Sequence, residues 1–265
     1  MAKIKFIPEF HRYVDENNKD LTSVSKFTDK FKEKVDWGEI AQRSAAKATR
    51  QGTATTKEEL LAKWARKGHV SAEVGTLIHS MKETELIQAD QPSFYGEVCE
   101  KELGHYENGF KSSIPINELQ NNTVYPELMI YDMDHMICGQ SDKVIVAKNK
   151  IHIYDYKTDA SISFEGWSSQ WKKARKLLKP LDHLDECNGN IYSIKMSLYM
   201  YMLWKANKGR FKPGDIIIEH LHLKRDPNND NTPVLENGEP VILKTEKIKL
   251  PYRKKEVMAM LKTIK

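Results

Sequence analysis

The stretch from residue 124 to residue 157 constrains the fold of this 265-residue chain more than any other. It contains three runs, near 124–131, 136–147 and 151–157, with the alternating or continuous apolar pattern of β-strands. Asn149 and Lys150 separate the last two runs and predict the turn of a hairpin. Helical patterns precede and follow the strands, so we expect an α/β fold in which helices flank a mixed central β-sheet.

Apolar periodicity and capping residues predict the other elements. IKFIP and HRYVD are expected to form a short hairpin, and Thr22 or Ser23 is expected to cap the helix that LTSVSKFTDKFKE opens. Further helices are predicted near 37–49, 56–67, 71–88, 164–178 and 190–206, and from Tyr252 onward. Further strands are predicted at DIIIEHLHLKR and near 241–249, whereas FYGEVCEKEL permits either a strand or a helix. The N-terminal third is therefore expected to be mostly helical.

The run IHIYDYKTD places a carboxylate and an ammonium group on one face of the sheet. Asp155 and Lys157 are two residues apart, and side chains with that spacing on a strand point the same way. Asp142 lies thirteen residues upstream, in the strand-like run CGQSDKVIVA. An isolated Asp-x-Lys is usually a solvated ion pair, but here aromatic neighbours and a second carboxylate accompany it. The pattern favours a site where carboxylates hold a divalent cation beside a lysine.

Three segments of the chain together resemble the RecB-like branch of the PD-(D/E)xK nuclease superfamily, particularly its phage and viral members. They are WARKGHVSAEVGTLIHSMKE (64–83), YPELMIYDMDHMICGQSDKVIVAKNKIHIYDYKTD (125–159) and PLDHLDECNGNIYSIKMSLYMYML (180–203). The resemblance implies a restriction-endonuclease-like core and a metal-dependent deoxyribonuclease. An exonuclease that acts on DNA ends in phage-type recombination, replication or repair is the simplest such enzyme, although the sequence does not separate exonuclease from endonuclease.

The resemblance also implies roles for individual residues. The metal-binding histidine of the family's GxxxH helix falls on His79, and the aspartate of its G-x-x-D hairpin falls on Asp142. The carboxylate and the lysine of the D-x-K motif fall on Asp155 and Lys157. A glutamate shortly before the hairpin often joins the site in this family, and Glu127 occupies that place. These five residues are the expected catalytic and metal-binding set.

The implied cofactor is one or two Mg²⁺ or Mn²⁺ ions. The backbone carbonyl of Tyr156 commonly serves as a further metal ligand in the superfamily. Lys157 is expected to stabilise the transition state by its charge, because the ordinary lysine pKa of about 10.4 is too high for a base at neutral pH. An iron–sulfur cluster of the kind some relatives carry needs four thiolates. It is not expected here, because the chain has three cysteines, Cys99, Cys138 and Cys187.

DNA, most simply a double-stranded end, is the expected partner, together with a single-strand annealing or other recombination protein. The family's downstream Q-x-x-x-Y motif is altered here, since Lys195 replaces the glutamine while Tyr199 is retained. A lysine can meet a phosphate but cannot accept a hydrogen bond. A basic segment with helical spacing of apolar residues follows the D-x-K strand and is expected to contact DNA through Lys172, Lys173, Arg175 and Lys176.

Other residues leave alternatives open. A zinc site built from His183 and Cys187 with His220 or His222 lacks the paired ligand spacing of zinc motifs. Packing or a DNA contact is the favoured role for these residues. The alternative to an enzyme is a non-cleaving DNA-binding or scaffold protein that keeps the nuclease fold.

The chain has no internal repeat, low-complexity linker or Pro/Gly-rich hinge. We therefore predict one nuclease domain over 1–265, with a mostly helical elaboration at 1–70 that clamps DNA. The catalytic core is expected over about 71–225, and a C-terminal hairpin and helix over 226–265. The absence of a secretory segment and of paired cysteines predicts a protein of the reducing cytoplasm with no membrane partner.

Overall fold

A central mixed β-sheet flanked by helices forms the frame of the protein. The computed structural model describes residues 4–88, 97–98, 106–107, 110–166, 168 and 173–264. The helices are α1 (Val24–Asp29), α2 (Trp37–Arg50), α3 (Lys57–Gln88), α4 (Asn188–Ala206) and α5 (Lys254–Leu261), with a 3-10 turn at Pro8–Phe10. The fold class predicted from the sequence is confirmed at this level.

The strands fall into an N-terminal group, a central group and a C-terminal group. The first two groups are β1 (Lys5–Ile7), β2 (Arg12–Val14), β3 (Asp20–Ser23), β4 (Glu97–Val98), β5 (Tyr106–Glu107), β6 (Phe110–Ser112), β7 (Thr123–Asp132), β8 (Ile137–Ala147) and β9 (Lys150–Lys157). The third is β10 (Lys212–Leu223), β11 (Arg225–Asp226), β12 (Thr232–Pro233), β13 (Leu235–Glu236), β14 (Glu239–Pro240) and β15 (Ile242–Leu250).

The large sheet is ordered β15-β10-β9-β8-β3-β2-β1-β6-β5, and β7 pairs with β8 and with β4. β9 runs antiparallel to β8 and parallel to β10, while β15 is an antiparallel edge strand on β10. β3 pairs parallel with the beginning of β8. The strands β1, β2 and β3 thus extend the sheet, so the described N-terminal region is strand as well as helix.

The predicted central strands are confirmed, and their hairpin turn lies one residue earlier than expected. Ala147 pairs with Lys150, which leaves Lys148 and Asn149 as the two loop residues, with φ of 50° and 58°. Two positive φ values are typical of the tight hairpin turn that matches the twist of its strands. The backbone N–H of Asn149 also donates to Asn121 Oδ1 at 3.0 Å, so a distant residue helps to set the turn.

Two helical layers cover the sheet. On one face, Val144, Ile153 and Ile218 of the strands pack with Leu198 and Met202 of α4 in the largest buried cluster. The other face meets α3 in a smaller cluster built from Val74, Ile78, Tyr156, Leu221 and Leu223. Burial of one such apolar side chain contributes roughly 1.5–3 kcal/mol, so both helices are held firmly against the strands that carry the candidate site.

The predictions for the N-terminal elements are largely confirmed. β1 and β2 form the expected hairpin, and Ser23 caps α1 by accepting the Lys26 N–H at 3.1 Å. The two helices expected at 56–67 and 71–88 are one continuous helix, which corrects the prediction. Gly68 costs about 1 kcal/mol relative to alanine, but this local penalty does not end a helix whose face packs on the sheet.

The helix predicted near 164–178 is wrong for the part that the structure describes. Residues 173–187 are not helical, and they fold back on themselves instead. Leu177 N–H donates to Leu184 O at 3.0 Å and Glu186 N–H donates to Arg175 O at 2.8 Å. Leu177 is buried in the main cluster. The helix-like apolar spacing therefore reflects contacts with residues downstream.

The remaining predicted strands and helices agree with the structure wherever it describes them. Of FYGEVCEKEL, the structure describes only Glu97–Val98, a short strand that pairs parallel with β7; the rest lies outside the described residues. Two predicted strands are confirmed: DIIIEHLHLKR forms most of β10, and the weaker pattern near 241–249 forms β15. Two predicted helices are also confirmed, the one at 190–206 as α4 and the one after Tyr252 as α5. Among the described helices, none has both the length and the apolar character that a bilayer span requires.

Candidate metal centre

The candidate site lies where β8 and β9 separate. Antiparallel pairing between the two strands ends at Lys143 and Tyr154. Asp142 and Asp155 come next on their strands, so they face one another just beyond the last pair. The N–H of Tyr156 donates to Asp142 Oδ2 at 2.6 Å and fixes that carboxylate at the opening. Two residues predicted from separate motifs are thus brought together by the register of one hairpin.

Glu127 reaches the same point from the neighbouring strand. The pairs Pro126–Lys143 and Leu128–Ser141 place Glu127 opposite Asp142, at an interruption of the ladder between β7 and β8. Its φ of 46° lies in the left-handed region, which is uncommon for a residue other than glycine. The Glu127 carbonyl accepts a hydrogen bond from Lys111 Nζ at 2.8 Å. The irregular backbone therefore has a specific partner and turns the Glu127 side chain toward Asp142.

His79 completes the cluster from the helical side. α3 packs on the sheet through Val74 and Ile78, one residue before His79. His79 Nδ1 lies 3.4 Å from Glu127 Oε1 and 3.4 Å from Asp142 Oδ1. One ligand atom from each of the three residues lies within 4.8 Å of the others. The imidazole and the two carboxylates that the sequence singled out are therefore close enough to share one cation.

The ionisable side chains of this cluster shift one another's pKa values. Burial disfavours the charged imidazolium, but the hydrogen bond to Glu127 and the charge of Asp142 outweigh it and raise the pKa of His79 to about 9. Burial, followed by the nearby charge of Asp155, raises the pKa of Asp142 well above its usual range. Crowded carboxylates of this kind gain from a nearby cation. The two carboxylates therefore also favour the protonated form of His79.

Lys157 lies next to the cluster and is held by three groups. It forms an ion pair with Asp155, donates to the Tyr156 carbonyl at 3.0 Å and lies 5.1 Å from the centre of the Tyr192 ring. Burial lowers the pKa of Lys157, but the charges of Asp155 and Asp142 outweigh burial, so the pKa is raised. Lys157 is therefore an ammonium ion at neutral pH.

The predicted ligands fall into two sets. His79, Glu127 and Asp142 form the compact group, and their hard oxygens with one imidazole suit Mg²⁺ or Mn²⁺. Asp155 and the Tyr156 carbonyl are instead engaged by Lys157. These residues fit a divalent cation, whose charge would offset the unfavourable burial of Asp142 beside Asp155.

The two residues of the altered Q-x-x-x-Y motif lie on α4. Lys195 Nζ donates to Ser25 Oγ of α1 at 3.2 Å, and burial lowers the pKa of Lys195. The Tyr199 side chain packs over Gly139 of β8 so closely that a Cβ at residue 139 would lie 2.5 Å from the Tyr199 hydroxyl oxygen. The tyrosine thus has a packing role against the strand that carries Asp142. Its predicted contact with DNA stays a prediction.

The basic segment carries charges that are partly neutralised within the protein. Arg175 forms an ion pair with Glu186, and Lys176 forms one with Asp185. Lys173 is exposed, while Lys172 lies outside the described residues. The segment is therefore a folded-back arm with internal ion pairs, which limits the charge that Arg175 and Lys176 can offer to a phosphate backbone.

A cavity of about 570 Å³ opens beside the cluster, between α3, the end of β9 and the β11–β12 hairpin. His79 and Lys157 line it together with Lys67, Ser71 and Arg225. Arg225 donates to the Thr158 carbonyl at 2.8 Å and so anchors the segment that follows the D-x-K strand. The sequence analysis did not identify Lys67, Ser71, Arg225 or Lys111 as residues near the site. The sequence did indicate Arg225, but only as the basic residue at the end of the predicted strand DIIIEHLHLKR.

The disfavoured zinc set is not assembled in the described part of the chain. His183 Nε2 lies 3.3 Å from Glu256 Oε1 of α5, and Cys187 is the residue before α4. His220 and His222 instead form a group with Glu246 of β15.

No protein-family model matches the chain, and no curated protein matches it significantly.

Proposed function

We propose that the protein is a metal-dependent deoxyribonuclease of the RecB-like branch of the PD-(D/E)xK superfamily, with a restriction-endonuclease-like core. The observation that carries the proposal is the convergence of His79, Glu127 and Asp142 beside the Asp155–Lys157 ion pair. The site lies at the opening between two strands, where a substrate can reach it through the adjacent cavity.

His79, Glu127 and Asp142 would hold Mg²⁺ or Mn²⁺, with Asp155 and the Tyr156 carbonyl as the further candidates. When bound, the ion supplies Lewis-acid polarisation of the scissile phosphate and a lower pKa for a bound water. His79 must give up its proton to act as a ligand, since only the neutral ring has a free lone pair. Metal binding is therefore expected to weaken as the pH falls.

Lys157 acts on the reacting phosphate by charge. Its raised pKa keeps the ammonium protonated at neutral pH, so it opposes a role as general base. A positive group that is already oriented by Asp155 and the Tyr156 carbonyl needs little rearrangement as negative charge develops on the phosphate oxygens. Lys157 is thus assigned to transition-state stabilisation.

The cavity supports a polyanionic substrate. Lys67 and Arg225 bring positive charge to its wall, and Ser71 and Asn231 bring hydrogen-bonding groups. One nucleic-acid strand entering between α3, the end of β9 and the β11–β12 hairpin would pass His79 and Lys157. An exonuclease that takes one strand of a DNA end into this cleft is the form of the proposal that we favour.

The competing function is a DNA-binding or scaffold protein that keeps the fold without cleaving DNA. Loss of a metal-binding carboxylate or of the lysine would favour it. Here Asp142, Asp155 and Lys157 are all present and adjacent in space, which favours the enzyme.

The test is digestion of end-labelled linear DNA and of closed circular DNA with Mn²⁺, Mg²⁺ or EDTA. We expect cleavage with either metal, none with EDTA, and loss of cleavage in Asp142→Asn with an unchanged circular dichroism spectrum. Asp182→Asn changes an exposed carboxylate and serves as the matched control with normal activity. Undiminished cleavage by Asp142→Asn would refute the assigned site.

The same assay separates the remaining possibilities. Loss of label from linear DNA while the closed circle survives identifies an exonuclease. Opening of the circle identifies an endonuclease. Binding of DNA without cleavage under any metal condition supports the scaffold alternative.

A further inference from the structure

A second group of metal-ligating side chains lies on β10 and the edge strand β15. His220 and His222 are two residues apart on β10, so both rings leave the same face of the sheet. Their ring centres are 4.1 Å apart. Glu246 is the pairing partner of His220 across the two strands, and its Oε2 lies 3.1 Å from His222 Nε2. One ligand atom from each of the three residues lies within 4.8 Å of the others.

The surroundings of His220 match those of a metal-binding histidine. His220 is 2% exposed, and its Nε2 lies 2.8 Å from the Asp159 carbonyl oxygen. A carbonyl only accepts hydrogen bonds, so Nε2 carries the hydrogen and Nδ1 keeps the lone pair. Metal-binding histidines usually donate their second ring nitrogen to a carbonyl or a carboxylate, which fixes the tautomer and the ring orientation.

Other histidine–carboxylate pairs of the chain lack this arrangement. His69 pairs with Glu73 on the exposed face of α3, and His183 pairs with Glu256. Neither pair belongs to a group of three ligands among the described residues. Lys244 lies 3.8 Å from Glu246 and is largely exposed, so it can move away when a cation binds. The His220 group therefore differs from an ordinary surface ion pair by its second imidazole and its buried anchor.

We propose that His220, His222 and Glu246 bind a transition-metal ion, with Zn²⁺ the most suitable, at a site separate from the His79 cluster. Two imidazoles and one carboxylate favour such ions over Mg²⁺, which prefers oxygen ligands. Three protein ligands leave a position for water on the solvent side, where Glu246 is exposed. The ion would join β15 to β10 and hold, through His220, the Asp159 carbonyl two residues after Lys157. The proposal does not depend on nuclease activity.

The test is calorimetric titration of the chelator-treated full chain with Zn²⁺ in excess Mg²⁺, which occupies oxygen-rich sites. We expect one Zn²⁺ to bind to the wild type and to Asp142→Asn with similar affinity. His222→Ala and Glu246→Gln should each weaken that binding by about tenfold or more. Titration with Co²⁺ gives a second readout, because visible absorption from imidazole-bound cobalt should be lost in the same two variants.

His222→Ala and Glu246→Gln are chosen because both side chains are partly exposed, so the fold should tolerate them. His183→Ala removes a histidine that also pairs with a glutamate and should bind Zn²⁺ as the wild type does. Zn²⁺ should also raise the unfolding temperature of the wild type more than that of either variant. Unchanged Zn²⁺ affinity in both variants, or loss of the Zn²⁺ site in Asp142→Asn alone, would overturn the proposal.

Discussion

At the scale of single residues, the proposed function assigns different roles to Asp155 and Lys157, whose side chains form an ion pair. Asp155 points its carboxylate at Lys157, and the pair holds the ammonium in front of the cavity. The lysine keeps its proton because the charges of Asp155 and Asp142 outweigh the effect of burial on its pKa. The two residues should therefore fail in different ways when each is removed.

Lys157→Ala should lower turnover by roughly two orders of magnitude or more, the usual loss when one electrostatic stabiliser is removed. DNA and Mn²⁺ should still bind to this variant. Asp155→Ala should instead weaken Mn²⁺ binding itself. Calorimetry with Mn²⁺ and non-cleavable DNA separates the two effects, with wild-type protein as the reference. Equal loss of metal in both variants, or normal cleavage by Lys157→Ala, would show that this strand is not the catalytic centre.

Most of the candidate cluster could be predicted because its residues come from short motifs. Asp155 and Lys157 have the spacing that places them on one face of a strand, and Asp142 lies in a strand-like run upstream. The place of His79 in the set was implied by the resemblance to the family's GxxxH helix. The position of the Glu127 side chain was less accessible, since it depends on a left-handed backbone and on Lys111, sixteen residues away in sequence. The position of Glu246 beside His220 and His222 could not be predicted either, because it depends on the pairing of β15 with β10.

At the scale of elements, a cluster of charges joins the end of β7 to α4. Asp132 is buried and accepts hydrogen bonds from Lys205 Nζ at 2.9 Å and from His135 Nδ1 at 2.8 Å. Burial alone would raise the pKa of Asp132, but these two partners outweigh it and lower the pKa. A carboxyl group whose folded-state pKa is lowered stabilises the protein above its unfolded pKa, and this stabilisation is lost as the pH falls through the folded value.

Asp132→Asn should therefore lower the free energy of unfolding at neutral pH by about 1–3 kcal/mol. The difference from the wild type should shrink below pH about 3.9, where the unfolded carboxyl group takes up its proton. Urea unfolding at neutral and acidic pH measures both effects. Asp134→Asn, which also removes a carboxylate near Lys205 but at an exposed position, should change stability by less than about 1 kcal/mol. A difference that does not depend on pH would contradict the assigned ion pairs.

The described part of the predicted helix at 164–178 is not helical, which shows that apolar spacing alone does not identify a helix. Trp171, Ala174, Leu177 and Leu178 have helical spacing, yet Leu177 is buried by the chain folding back at Leu184. The ion pairs of Arg175 and Lys176 with Glu186 and Asp185 are made across that bend. Partners nine and eleven residues downstream outweigh a local helical tendency, which amounts to less than about 1 kcal/mol per residue.

At the scale of the whole molecule, DNA affinity should depend mainly on lysine and arginine side chains that form no ion pair with carboxylates of the protein. Replacement of Lys172, Lys173, Arg175 and Lys176 by alanine should reduce the slope of log affinity against log salt. Arg175→Ala combined with Lys176→Ala should change that slope by less than about 0.9, the value for one phosphate contact. Fluorescence anisotropy with labelled DNA and Ca²⁺ in place of Mg²⁺ provides the measurement.

Lys67→Ala is the comparison variant for this experiment, because Lys67 lines the cavity beside His79. It should lower the slope by about 0.9 if it meets one phosphate. A drop of about 1.8 for the Arg175 and Lys176 pair alone would mean that their ion pairs open when DNA binds.

The long strands and helices after residue 123 were largely predictable from their apolar residues, except that the described part of 164–178 is not helical. The contribution of β1, β2 and β3 to the large sheet was not predictable. β3 is four residues long and joins the sheet by pairing with β8 across more than a hundred residues of sequence. Short strands carry little periodicity, and no local pattern records their partner.

The close contact between Gly139 and Tyr199 predicts how genetic variants at these two positions should combine. A methyl group at residue 139 would lie 2.5 Å from the Tyr199 hydroxyl oxygen and 2.8 Å from a ring carbon, and buried neighbours hold α4 in place. Gly139→Ala should therefore displace Asp142, three residues along β8, and abolish cleavage. Tyr199→Ala should rescue that allele as a second-site suppressor, whereas Tyr199→Phe should not, because it keeps the clashing ring. Gly139→Ala would then be harmful only in a chain that keeps the aromatic ring at residue 199.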